Sequence, residues 1–279
     1  MTLNGATMET VDGLHPLASL LRRYAFAYTA AHDFRVCESL MVEGYVLRMG
    51  EHDLRGRDRD YIAATAKQYR QFPGLGFTVH ELVLGEDRAA LHFTEHGRST
   101  LSHTTAAWSG VSLYRWDGAR LTHCRVEQDY YGRREQLRTG RVHTVSPPGI
   151  DPWTTESAPP DPGVEAVVHR WLCAGGLSDA ALGSLDSEPH GPVRRMLLSA
   201  AQVSVLDLFS AGDRVAFHVL ISGRYAGGLD ALDGYRHQPA SLYVAGLVRV
   251  CDGAVREVRA VTDRLAAERR LDAARGTLD

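Results

Sequence analysis

Residues 77–98 read FTVHELVLGEDRAALHFTEHGR, and residues 203–224 read VSVLDLFSAGDRVAFHVLISGR. Set side by side at an offset of 126 positions, eight of the 22 pairs are identical: Val79/Val205, Leu82/Leu208, Asp87/Asp213, Arg88/Arg214, Ala90/Ala216, His92/His218, Gly97/Gly223 and Arg98/Arg224. Further on, Asp117-Gly118-Ala119 matches Asp252-Gly253-Ala254, and Arg125, Asp129 and Leu137 match Arg259, Asp263 and Leu271. Two copies without a third make a duplication, not a solenoid array. The 279 residues, roughly two domains by usual domain size, then hold one fold used twice.

The stretch from Arg138 to Gly163 separates the copies and carries Pro147, Pro148, Pro152, Pro159, Pro160 and Pro162. Prolines at this density disfavour helix and central strand and favour extended, semi-rigid chain. The expected organisation is therefore a domain over 14–140, a proline-rich linker over 141–163 and a second domain over 164–275. Within the first copy, Leu17, Leu20, Leu21, Ala25 and Tyr28 have helical spacing, with a counterpart over 164–174. A second helix is expected over 58–72, ended by Pro73-Gly74. Strand-like runs follow near 77–84, 88–98, 106–116 and 120–128, with turns at Gly85-Glu86-Asp87 and Asp117-Gly118, then a closing helix over 131–138. Helices first and a meander afterwards give an α+β fold, with helices covering one face of a curved antiparallel sheet. The second copy is shorter before its meander: Leu182 to Val203, interrupted by Pro189 and Pro192, has no good equivalent of Tyr45 to Phe72. An eroded pocket and a scaffolding role are expected there.

Composition removes several classes of function. Net charge is −3, which argues against a dedicated nucleic-acid or anionic-membrane binder. All but one of the 31 basic residues, Lys67 excepted, are arginine, a bias expected of a GC-rich bacterial genome. No apolar run reaches the length of a membrane helix, and Met1 to His15 lacks the features of a secretory signal. The four cysteines, Cys37, Cys124, Cys173 and Cys251, are scattered without a C-x-x-C pair, so a reduced, cytoplasmic protein is the default expectation. His92 and His96, four apart on a strand, lie about 13 Å apart, too far to share a metal, and no phosphate loop or nucleophile elbow is present. No metal and no cofactor is expected.

An N-terminal amphipathic helix leads to His32-Asp33, then to GEHDLRGRD (50–58), FPGLGFTVHEL (72–82), GEDRAALHFTEHGR (85–98) and a last strand running into Gln128-Asp129 and Arg134-Glu135-Gln136-Leu137. This succession resembles the SnoaL-like polyketide cyclase branch of the NTF2-like superfamily, over about 14–140 and less completely over 164–275. The resemblance implies two tandem cone-shaped domains, each with a sheet wrapped around a deep apolar pocket and packed as an intramolecular pseudo-dimer; a homodimer stays open. His92 and His218 would lie on the outer sheet faces, at or near that contact. Members of the superfamily include ring-closing cyclases, isomerases, dehydratases, epoxide hydrolases and non-catalytic binders, so fold alone does not choose among them.

Alternation along strands selects the candidate site. Ala89, Leu91, Phe93 and Glu95 share an apolar, inward face, as do Trp108, Gly110, Ser112, Tyr114 and Trp116. On the final strand Leu121, His123, Arg125, Glu127 and Asp129 fall in phase and are expected to face the pocket. The resemblance places Asp129 on the acid/base aspartate of the cyclase branch. The same position, before a helix and matched by Asp263, suits an N-cap or a partner of Arg125. Glu127 and Glu95 are replaced by Val261 and Ile221 in the second copy, so the fold itself does not require them. The catalytic candidates are thus Asp129, Glu127, Glu95, Arg125 and His123. Tyr24, Tyr28, Tyr45, Trp108, Tyr114 and Trp116 are candidates for substrate binding or for the core, and His52 and Asp53 mark the pocket mouth. The aspartate that superfamily isomerases carry at the end of the first short strand is replaced here by Met49. The expected function is a cofactor-independent cyclase, lyase (dehydratase) or isomerase of secondary metabolism acting on an apolar, oxygenated small molecule. The alternatives are a non-catalytic binding or accessory protein using the same pocket, or a structural dimer module with a collapsed one.

Overall fold

The computed structural model describes residues 13–178, 183–186, 197–229 and 232–275. Helix α1 (Pro16–Arg23) starts on His15, whose ring accepts the Leu17 N–H, and on Pro16, where a missing N–H costs nothing. It widens into a π-helical segment over Tyr24–Ala30. A short α2 (Cys37–Leu40) leads to β1 (Met41–Met49), β2 (His52–Arg55) and α3 (Ile62–Gln71), which stops before Pro73. The meander follows as β3 (Gly76–Leu84), β4 (Arg88–Arg98), β5 (Thr105–Trp116) and β6 (Leu121–Gln128), closed by α4 (Tyr130–Thr139). These strands form one sheet in the order β2-β1-β6-β5-β4-β3, antiparallel except where β1 runs parallel to β6.

The second half repeats the plan with α5 (Pro162–Cys173), β7 (Gly183–Leu185), β8 (Leu198–Ala211), β9 (Arg214–Tyr225), β10 (Pro239–Cys251), β11 (Ala254–Thr262) and α6 (Arg264–Arg275). Its sheet order is β7-β11-β10-β9-β8, with β7 parallel to β11 as β1 is to β6. Even the irregularities recur. Register slips between Val79 and Glu81 against β4, and between Val205 and Asp207 against β9, at the same offset. Between Cys173 and β8, only β7 and a short turn at Gly176–Ser178 are described; Leu182, Pro189 and Pro192 lie outside the described residues.

Each sheet carries its own core on one face. In the first half, Leu17, Leu20 and Leu21 of α1 pack on Ala89, Leu91, Phe93, Trp108 and Tyr114. In the second, Val168 and Leu172 of α5 pack on Val215, Phe217, Val219, Leu242 and Val244. The opposite faces meet each other, burying Val83, Ala90, Val111 and Leu113 against Phe209, Ala211, Ala216, Ala245, Leu247 and Val261. Alanines at several of these positions let the two sheets approach closely.

The contact has the reciprocity of a two-fold interface, in which residue i meets j and j meets i. Arg88 donates to Asp207 at 2.6 Å, and its copy Arg214 donates to Glu81, the copy of Asp207, at 2.5 Å. The halves form a pseudo-dimer within one chain, as the duplication implied. The linker is not a loose tether. Gly149 and Ala158 donate their N–H groups to Val79 and Leu84 at 3.0 Å each, and Trp153 is buried in the first core. The prolines thereby cover the outer edge of β3, an edge otherwise open to pairing with another chain.

Candidate functional site

A cavity of about 380 Å³ opens on the concave side of the first sheet, within the size range of small-molecule sites. Leu47, Met49, Phe77, Phe93, Cys124 and Val126 give it apolar walls, and Tyr24, Tyr61, Tyr114 and Tyr130 add phenol groups. Burial holds the Tyr24, Tyr61 and Tyr114 phenols well above their ordinary range, so they stay protonated. Tyr24 and Tyr61 share a hydrogen bond of 2.8 Å between their hydroxyls. Phe93 stacks on Phe77 and lies across Gly110, where any Cβ would fall about 2.3 Å from its ring. Glycine at 110 therefore lets this ring lie flat against β5.

Glu95 is the carboxylate of this cavity. It points inward from β4, as alternation requires, and is 6% exposed. Gln68 donates to its Oε2 at 2.7 Å and the Trp108 indole N–H donates to the same oxygen at 3.0 Å. Both donors use one oxygen, leaving Oε1 to exchange a proton. Burial raises the carboxyl pKa to about 7, although Gln68, the Arg133 charge and Trp108 each favour the ionised form. Arg133 lines the cavity from α4, its guanidinium 4.1 Å from the Tyr130 ring centre and 5.0 Å from that of Trp108. At neutral pH Glu95 divides between acid and base, the condition a proton-transfer group needs.

One consequence is measurable without a substrate. Removing the Gln68 hydrogen bond withdraws support from the ionised carboxylate and raises the Glu95 pKa further. In Gln68→Leu the carboxyl titration, followed by carbon-13 NMR of labelled glutamate, is expected to move above pH 7 by roughly one to two pH units. A titration unchanged from the parent protein would contradict this account of the site.

The final strand faces the other way from the expectation. Cys124, Val126 and Gln128 line the cavity, whereas His123, Arg125 and Glu127 point to the opposite face of the sheet. The cause is a bulge: Trp116 pairs with Leu121, but the preceding Arg115 pairs with His123, so β6 gains one residue on β5. An extra residue reverses every side chain beyond it. Leu121 is therefore in the first core while His123 is exposed and lines a groove on the outer face. Arg125 lies 3.7 Å from Asp207 of the second half. Glu127 accepts from the Gly50 N–H and meets His218 Nε2, each at 2.8 Å. Asp129 caps α4 by accepting the Gly132 N–H at 2.8 Å, and its ion-pair partner is Arg264 at 3.0 Å rather than Arg125. Of the five catalytic candidates, only Glu95 reaches the cavity.

The aromatic candidates divide as well. Tyr24 and Tyr114 line the cavity, and Trp108 stands behind Glu95, its N–H also reaching Gln128 at 3.0 Å. Tyr28 is a core residue bonded to Thr65 at 2.6 Å, and Tyr45 is buried edge-on to Tyr61. Trp116 packs at the rim of the core, 6.1 Å from the His15 ring. His52 and Met49 do line the cavity, while Asp53 pairs with Arg48 and Arg55. Sequence reasoning missed Tyr61, Gln68, Gln128, Tyr130 and Arg133, of which Gln128 follows from reading β6 in its true phase. It also missed Leu265 and Arg269, which bring α6 of the second half to the rim of the first-half cavity.

Comparison with protein families matches residues 21–124 to the SnoaL-like domain. Comparison with curated proteins finds no match. Among solved structures, a SnoaL-like polyketide cyclase candidate from Jannaschia sp. CCS1 is similar at 15% identity and a TM-score of 0.43, over 47% of this chain and 98% of its own. A polyketide cyclase candidate from Acidithiobacillus ferrooxidans is similar at 20% identity and a TM-score of 0.40, over 44% and 96%. IdmH of Streptomyces antibioticus, a further polyketide cyclase candidate, is similar at 17% identity and a TM-score of 0.38, over 45% and 100%. The chain is a tandem of two α+β halves, and residues 21–124, within the first of them, match the SnoaL-like domain.

Proposed function

We propose that the first-half cavity binds an apolar, oxygenated small molecule and moves a proton at a carbon beside its carbonyl, using only side chains of this chain. The observation that carries this reading is Glu95, buried in the cavity with a pKa near 7 and one oxygen free of donors. The ionised carboxylate takes the proton from the C–H bond, whose electron pair passes into an enolate. The Arg133 guanidinium and the tyrosine hydroxyls supply positive charge and donors for the enolate oxygen. The carboxylic acid then returns the proton to another carbon, protonates a departing oxygen, or protonates the alkoxide formed when the enolate carbon attacks a second carbonyl of the substrate, so that isomerisation, dehydration and ring closure share the first step. Met49 occupies the place where a second carboxylate could have stood, which leaves Glu95 to act alone.

The test is hydrogen–deuterium exchange at the acidic C–H of cyclic and aromatic β-dicarbonyl compounds in deuterated water. The protein is expected to accelerate exchange for a subset that fits the cavity, and Glu95→Gln is expected to lose about a hundredfold or more of that rate. Exchange that survives in Glu95→Gln would reject the assignment. Saturable binding without accelerated exchange would favour the non-catalytic binding reading.

A further inference from the structure

We propose that a second site, on the outer face of the first sheet, binds a phosphate or pyrophosphate group between Arg48, Arg115, Arg125 and His123. These four residues line a groove of about 300 Å³ with Leu113 and Cys124, and with Leu206 and Asp207 of the second half. The positive charge there exceeds the negative. Asp207 is the shared partner of Arg88 at 2.6 Å, Arg115 at 3.4 Å and Arg125 at 3.7 Å. Asp53 is likewise shared by Arg48 and Arg55. Five guanidiniums thus face two carboxylates. The Arg125 side chain makes no hydrogen bond among the described residues, and Arg48 Nε is buried without one, 3.3 Å from Asp53.

The second copy of the fold supplies an internal control. Arg115 pairs with His123 and Leu113 with Arg125 across β5 and β6; Arg249 pairs with Glu257 and Leu247 with Arg259 across β10 and β11. The register is the same, and the charge is not. In the second half Glu257 neutralises Arg259 at 2.8 Å and Asp213 neutralises Arg249 at 3.0 Å. The first half puts a histidine where that glutamate stands, so Arg88, Arg115 and Arg125 share the one carboxylate of Asp207. Partial burial and then the charges of Arg115, Arg48 and Arg125 hold the His123 pKa below its ordinary value. Clustered guanidiniums with free N–H groups match the oxygens of a multiply charged phosphate, which each can engage with two parallel donors.

The experiment is calorimetric titration of the full chain, at fixed ionic strength, with inorganic phosphate, pyrophosphate and adenosine diphosphate in turn. At least one is expected to bind saturably and to raise the His123 pKa followed by proton NMR. Tightest binding of an inorganic anion identifies a free ion as the ligand, and tightest binding of the nucleotide identifies a phosphate carried on a larger molecule. Arg125→Gln, which leaves Asp207 paired with Arg88, and His123→Glu, which copies the second half, are each expected to weaken binding about tenfold or more. Absence of saturable binding by all three probes, or binding that both variants leave unchanged, would overturn the proposal.

Discussion

Arg264→Ala is expected to lose about 3–5 kcal/mol of stability in urea denaturation at pH 8, the cost of stranding buried charge. Arg264 is 4% exposed and lies between two carboxylates, 3.0 Å from Asp129 of the first half and 3.1 Å from Asp186 of the second. Its guanidinium also covers the Tyr131 ring, 5.0 Å from the centre. Asp186 cannot find relief elsewhere, since its oxygens already accept from the N–H and hydroxyl of Thr262. Burial and the neighbouring Asp129 push its carboxyl up, and the Arg264 charge is the main influence opposing them. Without Arg264 the Asp186 carboxyl, already raised to about 7, is pushed up further. A raised folded pKa means stability that is present in acid and lost as pH rises. The deficit should therefore be smaller at pH 5 than at pH 8. Arg264→Lys keeps a charge but not the two-sided fork, and is expected to fall between. A variant as stable as the parent at pH 8 would show that this junction does not hold the halves together.

That junction explains which parts of the site were legible in the sequence. The duplication, the meander and its turns follow from local chemistry repeated at a fixed offset, so they survive translation into structure. So does the inward position of Glu95, because β4 pairs with β5 without interruption from Arg88 to Arg98. The phase of β6 does not follow, because one bulged residue after Leu121 reverses the strand and nothing in Thr122 or His123 marks it. Asp129 is recognisable as a cap from its place before α4. Its partner Arg264 is not, since that contact crosses the pseudo-two-fold axis between residues 135 positions apart. The same crossing brings Leu265 and Arg269 to the cavity rim, so the second half contributes to the first-half site more directly than a scaffold would.

Glu127→Gln is expected to change the pH dependence of stability more than any other single substitution at the interface. Glu127 and His218 face each other at 2.8 Å with almost no exposure, and Glu127 Oε2 and His218 Nδ1 are buried without partners. Burial drives both toward neutrality, raising the acid to about 8 and lowering the imidazole to about 3. The contact is then an imidazole N–H donated to a protonated carboxyl, with Oε1 also accepting from Gly50 and the acid proton left on Oε2. Each partner sets one limb of a stability curve. Glu127 has a raised folded pKa, so its contribution is full below its unfolded value near 4.5 and declines as pH rises toward about 8. His218 has a lowered folded pKa, so its contribution is full above about 6.5 and declines as pH falls toward about 3. Between about 4.5 and 6.5 both contributions are partial, so the two limbs overlap there. Glutamine keeps the neutral acceptor and cannot ionise, so the variant should gain on the order of 2–4 kcal/mol relative to the parent between pH 5 and pH 9. Part of the alkaline decline persists in the variant, because burial also raises Asp263, though by less once the Glu127 charge is gone. His218→Gln should instead flatten the acid limb and leave the alkaline one. Chemical denaturation of the three proteins from pH 4 to pH 9 measures both limbs, and parallel curves for parent and Glu127→Gln would mean that Glu127 is ionised at the interface throughout.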